Sequence, residues 1–118
     1  MRIEAQKLVR DRIPDLMDEE GLSYESSVLS EEAFKAALYA KLLEEAKEVI
    51  GASQDERLKE LADVQEVLDT ITTMSGFTRE QVCAVQQKRR EARGSFEKRI
   101  MLDWFGEQTR IRSKPRSA

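Results

Sequence analysis

Histidine is absent from this chain, and cysteine occurs once, at Cys83. Without histidine there is no Ser-His-Asp machinery, and most zinc sites are excluded with it. A lone thiol cannot close an internal disulfide, which fits a soluble cytoplasmic protein. Two prolines and five glycines among 118 residues leave few breaks, so the elements should be long. No apolar run approaches the roughly 20 residues of a membrane-spanning helix, and the first twenty residues lack the apolar centre of a signal peptide. No membrane role is expected.

What the chain does have is charge. Charged residues make up 36% and hydrophobic residues 40%, a mixture suited to amphipathic helices. Residues 1–87 carry 10 Lys+Arg against 19 Asp+Glu, whereas residues 88–118 carry 10 against 4. An acidic body with a basic end suits nucleic-acid binding, or a metal centre with cations set aside for phosphate. Catalysis, if any, rests on carboxylates, Lys, Arg, hydroxyls or one thiol.

Helix punctuation predicts an all-α domain of four to five helices. Pro14 suits the first turn of a short helix running towards Gly21. Residues 22–29 favour an extended segment with room for a short strand. Ser30 is the expected N-cap of a second helix, with Glu31 and Glu32 in its first turn, ending before Gly51. Ser53 and Glu56 spell a capping box for a third helix, which ends before Gly76, and Thr78 with Gln81 spells another for a fourth, which ends at Gly94. The apolar stretch 96–105 is expected to dock on the body, Trp104 and Phe105 to seal a core or a subunit interface, and Cys83 to be a small core residue. The expected boundaries are one domain over 1–106 and a basic, flexible tail over 107–118.

The second and third helices carry the acids that matter. Glu44, Glu45 and Glu48 share one helical face, as do Glu60 and Asp63. The apolar arc of the second helix is Phe34, Leu38, Leu42, Ala46 and Val49, and Glu45 falls inside it. That of the third is Leu61, Val64, Val67, Leu68 and Ile71; Glu60 falls inside, with Asp63 at its border. A carboxylate on a core-facing stripe is costly unless something compensates it, and a divalent cation would. Three residues separate the helices, so they should form an antiparallel hairpin. At ~1.5 Å per residue, Glu45 lies roughly 9 Å before Gly51 and Glu60 roughly 10 Å beyond Ser53. The two acid groups should therefore meet at one level. Oxygen ligands without histidine or thiolate suit Mg2+ or Mn2+ rather than zinc. Against this, acidic runs on helices are commonly no more than solvated faces.

This arrangement resembles the all-α nucleoside triphosphate pyrophosphohydrolases, the MazG-like superfamily that includes phosphoribosyl-ATP pyrophosphohydrolase. Their signature is EExxE followed by ExxD; here it reads Glu44-Glu45-x-x-Glu48, eleven residues, then Glu60-x-x-Asp63. The opening Lys7-Leu8-Val9-Arg10-Asp11-Arg12-Ile13-Pro14 is similar to the KLVRDKIP start of one branch. Lys88 to Ile100 is similar to its RGGFxxRI close, with Ser95 in place of the second glycine. The resemblance spans residues 7–101. It implies cleavage between the α- and β-phosphates, with Mg2+ (or Mn2+) held by Glu44, Glu45, Glu48, Glu60 and Asp63. Glu45 or Glu48 would be the general base. Lys7, Arg10, Arg93, Lys98 and Arg99 become candidate phosphate ligands because they sit in the flanking segments. The alternative for Arg10 and Arg99 is pairing with nearby acids. Relatives assemble, so a homodimer or homotetramer is expected. The implied role is clearance of surplus or non-standard nucleotides. The rivals are phosphoribosyl-ATP hydrolysis in histidine biosynthesis, a non-catalytic helical adaptor, and nucleic-acid binding through the tail, the last disfavoured.

Overall fold

A computed structural model describes residues 1–107. Four helices follow in order: α1 (Ile13–Glu19), α2 (Glu31–Gly51), α3 (Gln54–Met74) and α4 (Arg79–Arg93). Among the described residues there is no strand, and the segment 22–30 carries neither helix nor sheet pairing. The chain is all-α. It divides into two compact units, one from Met1 to Phe77 and one from Thr78 onward. The tail expected over 107–118 lies outside the described residues apart from Glu107.

Local chemistry explains the boundaries. Pro14 occupies the first turn of α1, where its missing N–H loses nothing. At the other end Gly21 adopts φ +73°, and the Leu22 amide donates to the Met17 carbonyl at 2.9 Å while Gly21 donates to Asp18 at 3.0 Å. α3 ends the same way: Gly76 has φ +84°, with Phe77 donating to Thr72 and Gly76 to Thr73, both at 3.0 Å. These paired bonds satisfy carbonyls that the helix leaves open, and only glycine takes the required left-handed turn without strain. Ser30 Oγ accepts from the Ala33 amide and starts α2. Thr78 and Gln81 form the reciprocal capping box of α4.

Ser53 differs from expectation. It is the N-cap of α3, but its hydroxyl makes no capping bond. The Glu56 and Arg57 amides both donate to the Ser53 carbonyl, at 3.1 and 3.0 Å. The amide that a capping hydroxyl would have taken is already engaged by the backbone.

α2 and α3 pack along one another as a hairpin, with only Ala52 and Ser53 between them. Arg57 secures the turn. Its Nε donates to the Val49 carbonyl at 3.3 Å, one terminal nitrogen to Gln54 Oε1 at 3.1 Å, and the other to the Ala52 carbonyl. Leu38 and Val67 are the buried apolar side chains, flanked by half-buried Phe34, Leu42, Ala46, Val49, Val64 and Ile71. Leu61 and Leu68, expected in the same stripe, are exposed, as are Leu43, Ile50 and Leu58. Each helix thus has one stripe that faces its neighbour and a second apolar stripe that is exposed among the described residues.

In the second unit, α4 buries none of its residues, and Cys83 is exposed rather than in a core. Phe96, Ile100, Met101, Leu102, Trp104 and Phe105 are also exposed, and no fifth helix forms there. The expected burial of these side chains is not met.

Candidate metal centre

The hairpin brings all five predicted carboxylates together. Oxygens of Glu44, Glu45 and Glu48 lie within 4.8 Å of one another, and so do those of Glu45, Glu60 and Asp63. Glu45 belongs to both groups and joins the two helices. The antiparallel arrangement puts these acids level, as the count from the turn required.

Burial separates their roles. Glu45 and Glu60 are buried, at 7% and 9% exposure; Glu44 and Asp63 are half-buried, and Glu48 is exposed. Each of the two buried acids has one oxygen, Oε2, with no hydrogen-bond partner. An orphaned buried carboxylate oxygen carries a desolvation cost that a proton, a cation or a polar partner must relieve. Glu48 registers the crowding. The negative charge of Glu45, then contact with Glu60 and some desolvation, hold its carboxyl above the usual glutamate range.

Three cations lean on the cluster. Lys41 Nζ lies 3.4 Å from Glu44 Oε2 and 3.6 Å from Glu45 Oε1. Lys59 Nζ lies 3.3 Å from Glu60 Oε1 and 3.8 Å from Asp63 Oδ2, and these acids raise its own pKa. Arg10 donates to Asp63 Oδ1 at 2.9 Å. Five carboxylates against three cations leave a formal charge of −2, an excess that favours a cation. The acid groups can therefore hold a metal ion, and the two orphaned oxygens are the observation that fits one.

The candidate phosphate ligands are distributed between the units. Arg10 reaches the acid cluster itself. Lys7 lines a shallow cleft of about 190 Å³ with Gln6, Leu8, Ala37, Ala40, Lys41 and Glu44. Arg93 is the last residue of α4; Lys98 and Arg99 follow it in the second unit, where Arg99 takes φ +54° and donates its amide to the Phe96 carbonyl.

Lys41, Lys59 and Arg57 were missed from the sequence. Lys41 precedes Glu44 and Glu45 by three and four positions, and Lys59 precedes Asp63 by four. The helical spacing used to group the acids would have paired these lysines with them.

The fold and site thus define an all-α protein with a two-helix carboxylate centre able to hold a metal ion. No protein-family model, curated protein or solved structure matches the chain. No helix among the described residues is long and apolar enough to cross a membrane.

Proposed function

We propose that this protein hydrolyses a nucleoside triphosphate or deoxynucleoside triphosphate to the monophosphate and pyrophosphate, with Mg2+ as the metal and Mn2+ as a substitute. The observation that carries the reading is the pair of buried acids, Glu45 and Glu60, each with an unpartnered oxygen at the junction of two acid groups. The resemblance of residues 7–101 to MazG-like pyrophosphohydrolases supplies the substrate class.

Glu44, Glu45, Glu48, Glu60 and Asp63 are the residues that would hold the metal. Bound there, it would neutralise phosphate charge and acidify water. The chain's own groups divide the remaining work. Glu48 is exposed, and its neighbours raise its proton affinity, so its carboxylate is better placed than that of Glu45 to take a proton from the attacking water. The water oxygen bonds to the α-phosphorus, the bond from that phosphorus to the bridging oxygen breaks, and pyrophosphate leaves with the electron pair. Lys7, which lines the cleft with Glu44, and Arg10, which pairs with Asp63, would be the phosphate ligands of the first unit. Arg93, Lys98 and Arg99 are phosphate candidates through the resemblance alone.

Assembly and location belong to the same proposal. Leu43, Ile50, Leu58, Leu61 and Leu68 leave apolar surface on the hairpin, which supports a homodimer or homotetramer; a cytoplasmic place and nucleotide clearance come with the resemblance. The test is pyrophosphate release from a panel of ribo- and deoxyribonucleotides, modified bases included, with and without MgCl2. Magnesium-dependent release that Glu45→Gln abolishes is expected. No release from any nucleotide would leave a non-catalytic helical adaptor as the better account.

A further inference from the structure

The cleft beside the acid cluster shares two residues with it. Glu44 belongs to both, and Lys41 lines the cleft while its ammonium rests on Glu44 and Glu45. Lys7 and Gln6 line it as well. Ala37 and Ala40 form part of the wall, and their single methyl groups leave space between the backbone of α2 and the N-terminal segment. A small anion in this cleft would lie beside Lys7, Lys41 and Gln6, with Glu44 also in the wall.

Lys41 contacts both acids, each loosely. Its contacts of 3.4 and 3.6 Å exceed the roughly 2.7–2.9 Å of a tight charge-assisted bond. A lysine ammonium is a point charge on a four-carbon stem that reorients readily. A divalent cation arriving at Glu44 and Glu45 would repel this ammonium and take over its carboxylate oxygens.

We propose that Lys41 is an exchangeable counter-ion: it neutralises Glu44 and Glu45 while the metal is absent, and on metal binding turns into the cleft, where with Lys7 it receives the terminal phosphates of the substrate. This rests on the metal-dependent reading above and extends it. Metal loading creates the phosphate site, because the cation displaced from the acids becomes the cation offered to the anion. Metal and oligophosphate therefore bind with positive coupling. Lys7 makes no ion pair with these acids among the described residues, so it contributes to the anion site alone.

Opposite signs in two equilibrium measurements test this without any turnover. Mn2+ binding to the full-length chain is followed by electron paramagnetic resonance of the free ion, and binding of inorganic pyrophosphate by calorimetry in excess MgCl2. Lys41→Met is expected to tighten Mn2+ at least about threefold by removing the competing ammonium, and to weaken pyrophosphate by about tenfold. Lys7→Met should weaken pyrophosphate and leave Mn2+ unchanged. Should Lys41→Met fold poorly by circular dichroism, Lys41→Gln carries the same two expectations. Weaker or unchanged Mn2+ binding in the folded Lys41 variant overturns the counter-ion role. Unchanged pyrophosphate binding overturns the transfer to the cleft. A wild-type chain that binds no Mn2+ would overturn the metal centre itself, a different result from a wild type that binds Mn2+ without responding to Lys41.

Discussion

Arg10 and Asp63, 53 positions apart in the chain, meet at 2.9 Å and bring the N-terminal segment to the rim of the carboxylate cluster on α3. The pair is half in water: the arginine side chain is 58% exposed and the aspartate 27%. Solvent screening limits what such a contact adds to folding.

Arg10→Ala should therefore cost no more than about 1 kcal/mol in urea unfolding, the range of an exposed ion pair. A loss several times larger would mean that Arg10 anchors the N-terminal segment through more than this contact. The structure gives it no buried partner that would do so.

Glu60→Gln should separate stability from metal binding. In the metal-free chain Glu60 is a buried acid beside Glu45 and Glu48, with Lys59 as its ionic partner. Neutralising it relieves repulsion, so the metal-free melting temperature should hold or rise. Metal binding should suffer, because a ligand is lost. The wild type should gain about 2.7 kcal/mol at a metal concentration one hundred times Kd, and the variant should gain far less at the same concentration. Differential scanning calorimetry with and without MgCl2 measures both effects. A variant with lower stability and an undiminished magnesium shift would show that Glu60 is structural.

The pH response of the metal-free chain follows from Glu48. Its pKa is raised above 4.5, first by the charge of Glu45. The folded chain therefore holds this proton at pH values where the unfolded chain has lost it, so stability falls as pH rises from the unfolded pKa through the folded one. Its contribution is fully present below the unfolded value. Metal affinity should run the other way, weakening as acid protonates Glu48, and should begin to do so at higher pH than for an ordinary glutamate. Mn2+ titrations between pH 4 and 7, paired with melts lacking metal, test the two opposite slopes.

The helix pattern was legible because its signals are local. Pro14, Ser30, Gly21, Gly76 and the Thr78–Gln81 pair each act within a few residues, and each does what its chemistry requires. The inward position of Glu45 and Glu60 was equally legible, since it needs only the helical period and a count back from the turn. Surfaces that need a partner were not. Leu61, Leu68, Cys83 and Trp104 have the composition of buried residues yet stand exposed, because apolarity states a demand without naming what meets it. The cations were overlooked for another reason. Lys41 and Lys59 carry the helical spacing to the acids, but only the fold sets them against acids that are themselves out of water.

The three polar caps offer a comparison in which apparently equivalent serines should behave differently. Ser30 and Ser53 both precede long helices, and both have the extended backbone of an N-cap. Only the Ser30 hydroxyl accepts an amide, that of Ala33 at 3.2 Å; at Ser53 the backbone carbonyl has taken that place. Ser30→Ala should cost about 1 kcal/mol, the usual value for losing a capping oxygen, whereas Ser53→Ala should fall within about 0.5 kcal/mol of wild type, like an ordinary surface change. Thr78→Ala removes one half of a reciprocal box, with bonds of 3.1 Å from the Gln81 amide and 2.8 Å from the Thr78 amide to the Gln81 side chain. Its loss of about 1 kcal/mol should act on the second unit, and amide hydrogen exchange in the first turn of α4 should quicken. Equal losses at Ser30 and Ser53 would mean that the two hydroxyls cap alike in solution, and the backbone account of the difference would then be wrong.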